Sequence, residues 1–280
     1  MGNELENVHL SFIGCGVMAE SMIAGLLRKQ LVDAERISGS HPRETRRREL
    51  EEKYGIRMFT SNAEAAESVR ETENSAVVLC VKPQRIGGVL QDLKGSVAPD
   101  GLIVSIVAGA KMETISRELG TGKVVRAMPN TPSQIGAGIT AWTCTESVND
   151  DERTRVRHLL AALGKELYVE TENMIDMATS LSATGPTYIF MVMEALTDAG
   201  VHLGFSRDLA KELVQETMLG SVKFAMESHK HPAELRNMVT SPGGTSAEAI
   251  YQMEKGTLRT VLSKAVYAAY RRAVELGQKD

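Results

Sequence analysis

Phe12-Ile13-Gly14-Cys15-Gly16-Val17-Met18-Ala19 fits the pattern G-x-G-x-x-A. The apolar run at residues 8–13 before it reads as a strand. Residues 17–29 after it read as a helix with Met18, Met22, Ile23, Leu26 and Leu27 on one face. Glycines between strand and helix permit a tight turn and close approach of the backbone to a pyrophosphate. The helix N-terminus adds free N–H groups and partial positive charge. Ala19 is the small residue that lets helix and sheet pack closely. A lone glycine pattern is weak evidence, but its place in a first strand–turn–helix unit makes it a dinucleotide-binding signature.

Working outward, short apolar runs keep alternating with amphipathic ones. Ile37 marks a second strand, followed by a charged helix over about 44–53. Residues 56–59 form a third strand, and Ser61 with Glu64 opens the next helix as a capping box. Residues 76–81 and 102–107 are nearly continuous apolar runs, as expected of strands covered on both faces. Further strands are expected at 124–128 and 139–143. Such alternation predicts a doubly wound α/β domain of Rossmann type. Near Glu170 the pattern changes, and helical periodicity dominates from Met174 onward. The clearest stretches are 188–203, 207–228 and 258–276, with Pro186 and Pro232 placed where a first helical turn tolerates proline. The expected organisation is a dinucleotide-binding domain over 1–170 and an all-α domain over 171–280.

Composition narrows the partners. The 280 residues are 42% hydrophobic and 24% charged, an ordinary globular balance, and the length suits two domains. With 36 acidic against 32 basic groups the net charge is −4. That leaves no broad basic field for nucleic acid, and 4% aromatics offer no base-stacking platform. No apolar stretch reaches the roughly 20 residues that span a bilayer. Residues 1–7 show no basic start or apolar core, so no signal peptide is expected. Cys15, Cys80 and Cys144 form no CxxC pair, which suits a reducing cytoplasm and offers no metal site. Cys80 and Cys144 are expected to be small buried hydrophobes.

The second strand ends in Ser38-Gly39-Ser40-His41-Pro42-Arg43. An NAD site places an acidic residue here to bond the ribose 2′-OH. Asp33 and Glu35 precede the strand, at its wrong end. A hydroxyl, an imidazole and a guanidinium suit a 2′-phosphate instead, so NADP(H) is preferred over NAD(H), with Arg43 the leading contact. Arg46, Arg47 and Arg48 stand behind it, and for Arg47 and Arg48 a solvated helix face is the simpler reading.

Two proline-bounded loops follow strands at the sheet's carboxyl edge, Val81-Lys82-Pro83 and Pro129-Asn130-Thr131-Pro132. Each alone reads as an ordinary turn, but together they suggest a wall for a nicotinamide ring. Lys82 either holds a charge there or merely snorkels. In the second domain, Thr240-Ser241-Pro242-Gly243-Gly244-Thr245-Ser246 precedes an apolar helical stretch. Paired glycines before a helix make either an anion cradle, suited to a carboxylate, or a plain capping turn. Thr245 and Ser246 add hydroxyls.

The chain resembles the pyrroline-5-carboxylate reductases from Phe12 to about Leu276. The resemblance is carried by Val81-Lys82-Pro83, Met128-Pro129-Asn130-Thr131-Pro132, Ser182-Ala183-Thr184-Gly185-Pro186-Thr187-Tyr188 and Val239-Thr240-Ser241-Pro242-Gly243-Gly244. It implies reduction of L-1-pyrroline-5-carboxylate to L-proline by NADPH or NADH. It further implies that Gly243, Gly244, Thr245 and Ser246 bind the substrate, with Ser246 near its nitrogen. Gly14, Cys15, Gly16, Val17 and Met18 would hold the pyrophosphate. Ser40 and Asn62 would approach the adenosine end, and Val81, Lys82 and Pro83 the nicotinamide end, with Asn130 on the same wall. A homodimer formed through the helical domain is implied, with five such dimers as a ring in some members. Ser246 stands where the family usually has Thr, Ala183-Thr184 where it has Gly-Ser, and Cys15 where it often has Ala. These departures admit a paralogue reducing another cyclic imine, or an idle cofactor-binding relative. A β-hydroxyacid dehydrogenase shares the domain plan but needs a lysine on the second domain's first long helix, and residues 187–203 contain none.

Overall fold

The computed structural model describes Leu5 and residues 7–278. The signal-peptide expectation therefore rests largely on positions outside the described residues. Eight strands form one sheet: β1 (His9–Ile13), β2 (Ile37–Ser40), β3 (Arg57–Phe59), β4 (Ser75–Leu79), β5 (Leu102–Ser105), β6 (Val124–Met128), β7 (Gly138–Cys144) and β8 (Gly164–Tyr168). Their order is β3-β2-β1-β4-β5-β6-β7-β8. The first six are parallel in the doubly wound order 3-2-1-4-5-6, with the strand order reversing at β1 and β4.

The apolar runs are explained by their neighbours. Along β1, Leu10 and Phe12 join one buried cluster while Ile13 joins the other. On β4, Val78 faces the first cluster and Val77 and Leu79 the second. Both faces of each strand are thus dry, so the polar half of the usual alternation is missing. Helix α1 (Val17–Arg28) buries Ala19, Met22, Ile23 and Leu26, and α2 (Glu44–Tyr54) buries only Leu50. Helices α3 (Asn62–Glu67), α4 (Ile86–Asp92), α5 (Met112–Leu119) and α6 (Asp150–Ala161) complete the layers around the sheet.

Sequence reading missed β8. Its residues, Gly164-Lys165-Glu166-Leu167-Tyr168, line the sheet's outer edge and are mostly exposed, so the strand lacks an apolar run. β7 pairs antiparallel with β6 and parallel with β8. A short connection suffices for the first pairing, whereas α6 supplies the crossover for the second. Ser61 provides only half of the expected capping box: its Oγ accepts the Glu64 N–H at 3.3 Å. The complete box is on α6, where Asn149 and Glu152 exchange both bonds.

Packing divides the chain into two units. The first runs through Thr184 and includes the stretch from Ala269 onward, and the second is Gly185–Ala268. The first unit includes α7 (Glu172–Ala178), followed by a π-helical turn over Thr179–Ala183 that the sequence did not announce. Buried Arg126 on β6 ties α7 down through Glu172 at 3.1 Å and Asp176 at 2.6 Å.

The second unit contains α8 (Gly185–His202), α9 (Arg207–Ser228), α10 (Pro232–Met238), α11 (Thr245–Lys255) and the first half of α12 (Leu258–Leu276). Helices α8 and α9 pack on each other, with Gly200 set closely against Ala210. Ala210 alone is fully buried within this unit. Phe190, Met191, Val222, Phe224 and Met226 are each more than half exposed. So large an apolar surface on one chain marks an interface.

Candidate cofactor and substrate sites

The glycine loop lies where the strand order reverses. Gly14 takes φ +87°, and a Cβ there would sit 2.5 Å from Val81 Cγ1. Any other residue would therefore push the loop after β1 away from the loop after β4. The Cys15 N–H donates to Ser40 O at 2.9 Å, and the Gly16 N–H donates to Gly14 O at 2.7 Å. Gly16 is the N-cap of α1 and supplies no capping side chain. The N–H groups of Val17, Met18 and Ala19 consequently have no acceptor among the described residues. A Cβ on Gly16 would meet nothing within 4 Å, so the space over these donors is open. Free donors under open space fit a dinucleotide pyrophosphate. The Cys15 amide is occupied by the sheet, whereas those of Val17 and Met18 are available.

The Cys15 side chain points into the core. Its Sγ donates to Phe12 O at 3.3 Å and fills the slot left by Gly39, where a Cβ would lie 2.4 Å from the sulfur. Burial pushes this thiol up to about 12, which makes it inert at neutral pH. Cys80 and Cys144 are half-buried, not sealed as the sequence implied. Both pack at the margin of the first buried cluster, and burial raises the pKa of each.

Ser40, Asn62 and the glycine loop form one polar chain. The Gly14 N–H donates to Ser40 Oγ at 3.3 Å, and the Ser40 hydroxyl donates to Asn62 Oδ1 at 2.7 Å. Asn62 Nδ2 in turn donates to Asp92 Oδ2 at 3.0 Å. Asp92 was not anticipated, because it lies on α4, thirty residues from Asn62 in the chain. Gly14, Asn62, Val81, Gly88 and Asp92 line a cleft of about 720 Å³. At its Pro42 rim, Arg43 is the exposed N-cap of α2, and its guanidinium has no ion-pair partner among the described residues.

The other arginines have separate duties. Arg46 is bound to Glu20, Glu49 and the Cys15 carbonyl. Arg47 donates to His41 O at 2.8 Å and Pro42 O at 3.0 Å, closing the loop after β2 instead of lying on a solvated face. Arg48 pairs with Glu44 at 2.6 Å on the exposed side, as the simpler reading held.

Both proline-bounded loops leave the sheet at its carboxyl edge. Lys82 is exposed and caps a 3-10 turn that begins at Pro83. Asn130 opens another such turn, and its Oδ1 accepts the Ile139 N–H at 3.0 Å, which fixes the entry to β7.

The second unit repeats the device of the first. Gly243 has φ +70°, and Gly244 is an N-cap without a capping side chain. The N–H groups of Thr245 and Ser246 have no acceptor among the described residues, while Ala247 N–H returns to Gly244 O at 3.1 Å. A Cβ on Gly244 would lie 2.5 Å from Ser241 Oγ and 3.2 Å from Ser241 O, so a larger residue would make the Ser241 side chain turn away. Ser246 is half-buried, and its hydroxyl has no bond among the described residues. Among the described residues no His, Cys, Asp and Glu cluster could hold a metal, and no helix is long and apolar enough to cross a membrane.

Comparison with known proteins bears on the family and the fold. Residues 172–276 match the family model described as pyrroline-5-carboxylate reductase dimerisation. Residues 9–109 match one described as NADP oxidoreductase, coenzyme F420-dependent. A pyrroline-5-carboxylate reductase of Synechocystis is 37% identical over 98% of this chain and 100% of its own length. Among solved structures, the Plasmodium falciparum pyrroline carboxylate reductase with NADP bound is similar at TM-score 0.87. It is 29% identical, covering 98% of this chain and 99% of that one. The Coxiella burnetii pyrroline-5-carboxylate reductase has TM-score 0.83 and 35% identity, over 97% and 98% of the two chains.

Proposed function

The chain belongs to the pyrroline-5-carboxylate reductase family, and from that premise we propose how its residues reduce L-1-pyrroline-5-carboxylate to L-proline, the last step of proline biosynthesis. The observation that carries the reading is the repeated glycine N-cap. Gly16 on α1 and Gly244 on α11 each leave free N–H donors with no side-chain cap bonded to them. Such a terminus attracts an anion. The first suits the pyrophosphate of a dinucleotide and the second the carboxylate of the imino acid. The division into a cofactor half over 1–170 and a substrate half over 171–280 is supported by the dimerisation match that begins at residue 172, whereas packing groups α7 and the end of α12 with the first unit.

The enzyme is an NAD(P)H-dependent oxidoreductase. When bound, the nicotinamide supplies a hydride for the C=N carbon. The protein's own work is to bind, orient and exclude water. Val17 and Met18 N–H groups hold the pyrophosphate, and Asn62 faces the adenosine, its side chain held from beneath by the buried Ser40 hydroxyl. Val81, Lys82, Pro83 and Asn130 form the wall for the ring. Thr245 and Ser246 N–H groups hold the substrate carboxylate. Ser246 Oγ bonds the imine nitrogen, which is basic enough to take its proton without a strong general acid. NADPH is the preferred cofactor because the unpaired Arg43 guanidinium stands at the end of β2, where an NAD site would carry a carboxylate. NADH is accepted more weakly.

The working unit is a homodimer through Gly185–Ala268, whose apolar helix faces one chain leaves open. Assembly of five dimers into a ring, and residence in the cytoplasm, complete the proposal. The three free cysteines support a reducing compartment. A β-hydroxyacid dehydrogenase is disfavoured by α8, which has no lysine.

The test is NADPH oxidation with L-1-pyrroline-5-carboxylate, run beside 3-hydroxyacids with NADP. Turnover of the imine alone is expected. Tight NADPH binding with no oxidation would indicate an idle relative instead.

A further inference from the structure

We infer that Arg46 is the positioning residue that sets the phosphate loop, an inference resting on the cofactor reading above. The loop's essential act is to turn the Cys15–Gly16 peptide so that the next three N–H groups face open space. Its carbonyl side must then be held elsewhere. Arg46 Nε donates to Cys15 O at 3.3 Å from α2, a separate element.

Arg46 is itself held. Its Nη2 donates to Glu20 Oε2 at 2.5 Å, and its Nη1 meets Glu49 Oε1 at 2.9 Å. Glu20 is the fourth residue of α1, so the anchor lies on the very helix whose N-terminus receives the anion. Lys53 Nζ and Tyr54 Oη also donate to Glu20 Oε1, each at 2.8 Å. Burial raises the Glu20 carboxyl, but the bonds from Lys53, Arg46 and Tyr54 outweigh it and hold the group at about 2. The carboxylate is therefore charged throughout the working range, and its repulsion of a bound pyrophosphate is neutralised by cations on α2.

The geometry also excludes another role. With all three guanidinium nitrogens engaged and the side chain only 12% exposed, Arg46 is committed to the loop and is not free to meet a 2′-phosphate. A planar fork is needed to reach a carboxylate and a carbonyl together, and a lysine ammonium does not reproduce it. Removal of Arg46 leaves Glu20 with Lys53 and Tyr54, so no buried charge is stranded and the fold is expected to survive.

The experiment compares wild type with Arg46→Met and Arg46→Lys. It measures dissociation constants for NADPH and for adenosine 2′-monophosphate, which lacks the pyrophosphate, with thermal unfolding of the cofactor-free protein. Both variants should bind NADPH about tenfold more weakly, the loss of one well-placed charged hydrogen bond. Binding of adenosine 2′-monophosphate should stay unchanged, and the unfolding midpoint should fall by no more than about 2–4 °C. Unchanged NADPH affinity would overturn the inference. Restoration by lysine would reduce Arg46 to a charge, and parallel weakening of adenosine 2′-monophosphate would make it a 2′-phosphate ligand. A larger drop in midpoint with loss of both ligands would make its role structural. Wild type that bound no NADPH would overturn the cofactor reading itself and this inference with it.

Discussion

Gly14 and Val81 close the sheet's switch point against each other: a Cβ on Gly14 would stand 2.5 Å from Val81 Cγ1 and 3.3 Å from Val81 Cα. The loop assigned to the pyrophosphate and the loop assigned to the nicotinamide end are thus closely opposed. Gly14→Ala should cost about 1–3 kcal/mol in stability from the positive φ and the clash. NADPH affinity should fall at least about tenfold, because the loop above the free N–H groups must shift. Adding Val81→Ala removes the nearest obstructing atom and should recover part of the stability. Calorimetry and fluorescence titration of the three variants check this, and no recovery in the double variant would show that the contact is not limiting.

Ser246→Ala should lower kcat/KM for the imine by about ten- to a hundredfold, the range of one hydrogen bond to a charged group. Ser246→Thr keeps the hydroxyl and should retain most activity. The NADPH dissociation constant should not move in either. Wild-type turnover by the alanine variant would remove the assignment.

Arg43 governs cofactor choice if its exposed guanidinium meets the 2′-phosphate. Arg43→Ala should reduce the ratio of kcat/KM for NADPH over NADH about tenfold or more, chiefly through KM for NADPH. An unchanged ratio in steady-state assays would shift the discrimination to His41, since Ser40 is fully buried.

Glu20 links the loop to acid stability. Unfolded, this carboxyl titrates near 4.5, while in the folded chain it is held at about 2. Its contribution is therefore complete above about pH 4.5 and fades as pH falls towards 2. Glu20→Gln should be less stable than wild type at neutral pH, and the gap should close over that acid window. Denaturant melts at several pH values measure it; a gap that persisted at the acid end would count against the cluster.

Phe190 on α8 and Phe224 on α9 are 57% and 51% exposed in the single chain. Glutamate at either position should yield monomers by sedimentation, with activity falling in proportion. A dimer that survived both changes would place the interface on another face.

Much of the first unit was legible because its strands are dry on both sides and its helices are punctuated by glycine and proline. The helical stretches 207–228 and 258–276 coincide with α9 and α12. What escaped depended on distance or exposure. Edge strand β8 has no apolar run, and the π-helical turn at Thr179–Ala183 has no local signature. Asn149 followed by Glu152 is a capping signal legible in the sequence itself. The commitment of Arg46 to Glu20 and Cys15, and of Asp92 to Asn62, arises from pairings 26 to 31 residues apart. No spacing rule reveals these, so in the sequence Arg46 stands only as a second cation behind Arg43.

The second unit has a thermodynamic consequence. With Ala210 its only fully buried residue, Gly185–Ala268 draws much of its cohesion from outside the chain. Unfolding of the assembly is then coupled to dissociation, and mass action makes its melting temperature rise with protein concentration. Dilution becomes a denaturing condition. The enzyme's durability is a property of how much of it is present, so stability measured at one concentration describes only that concentration.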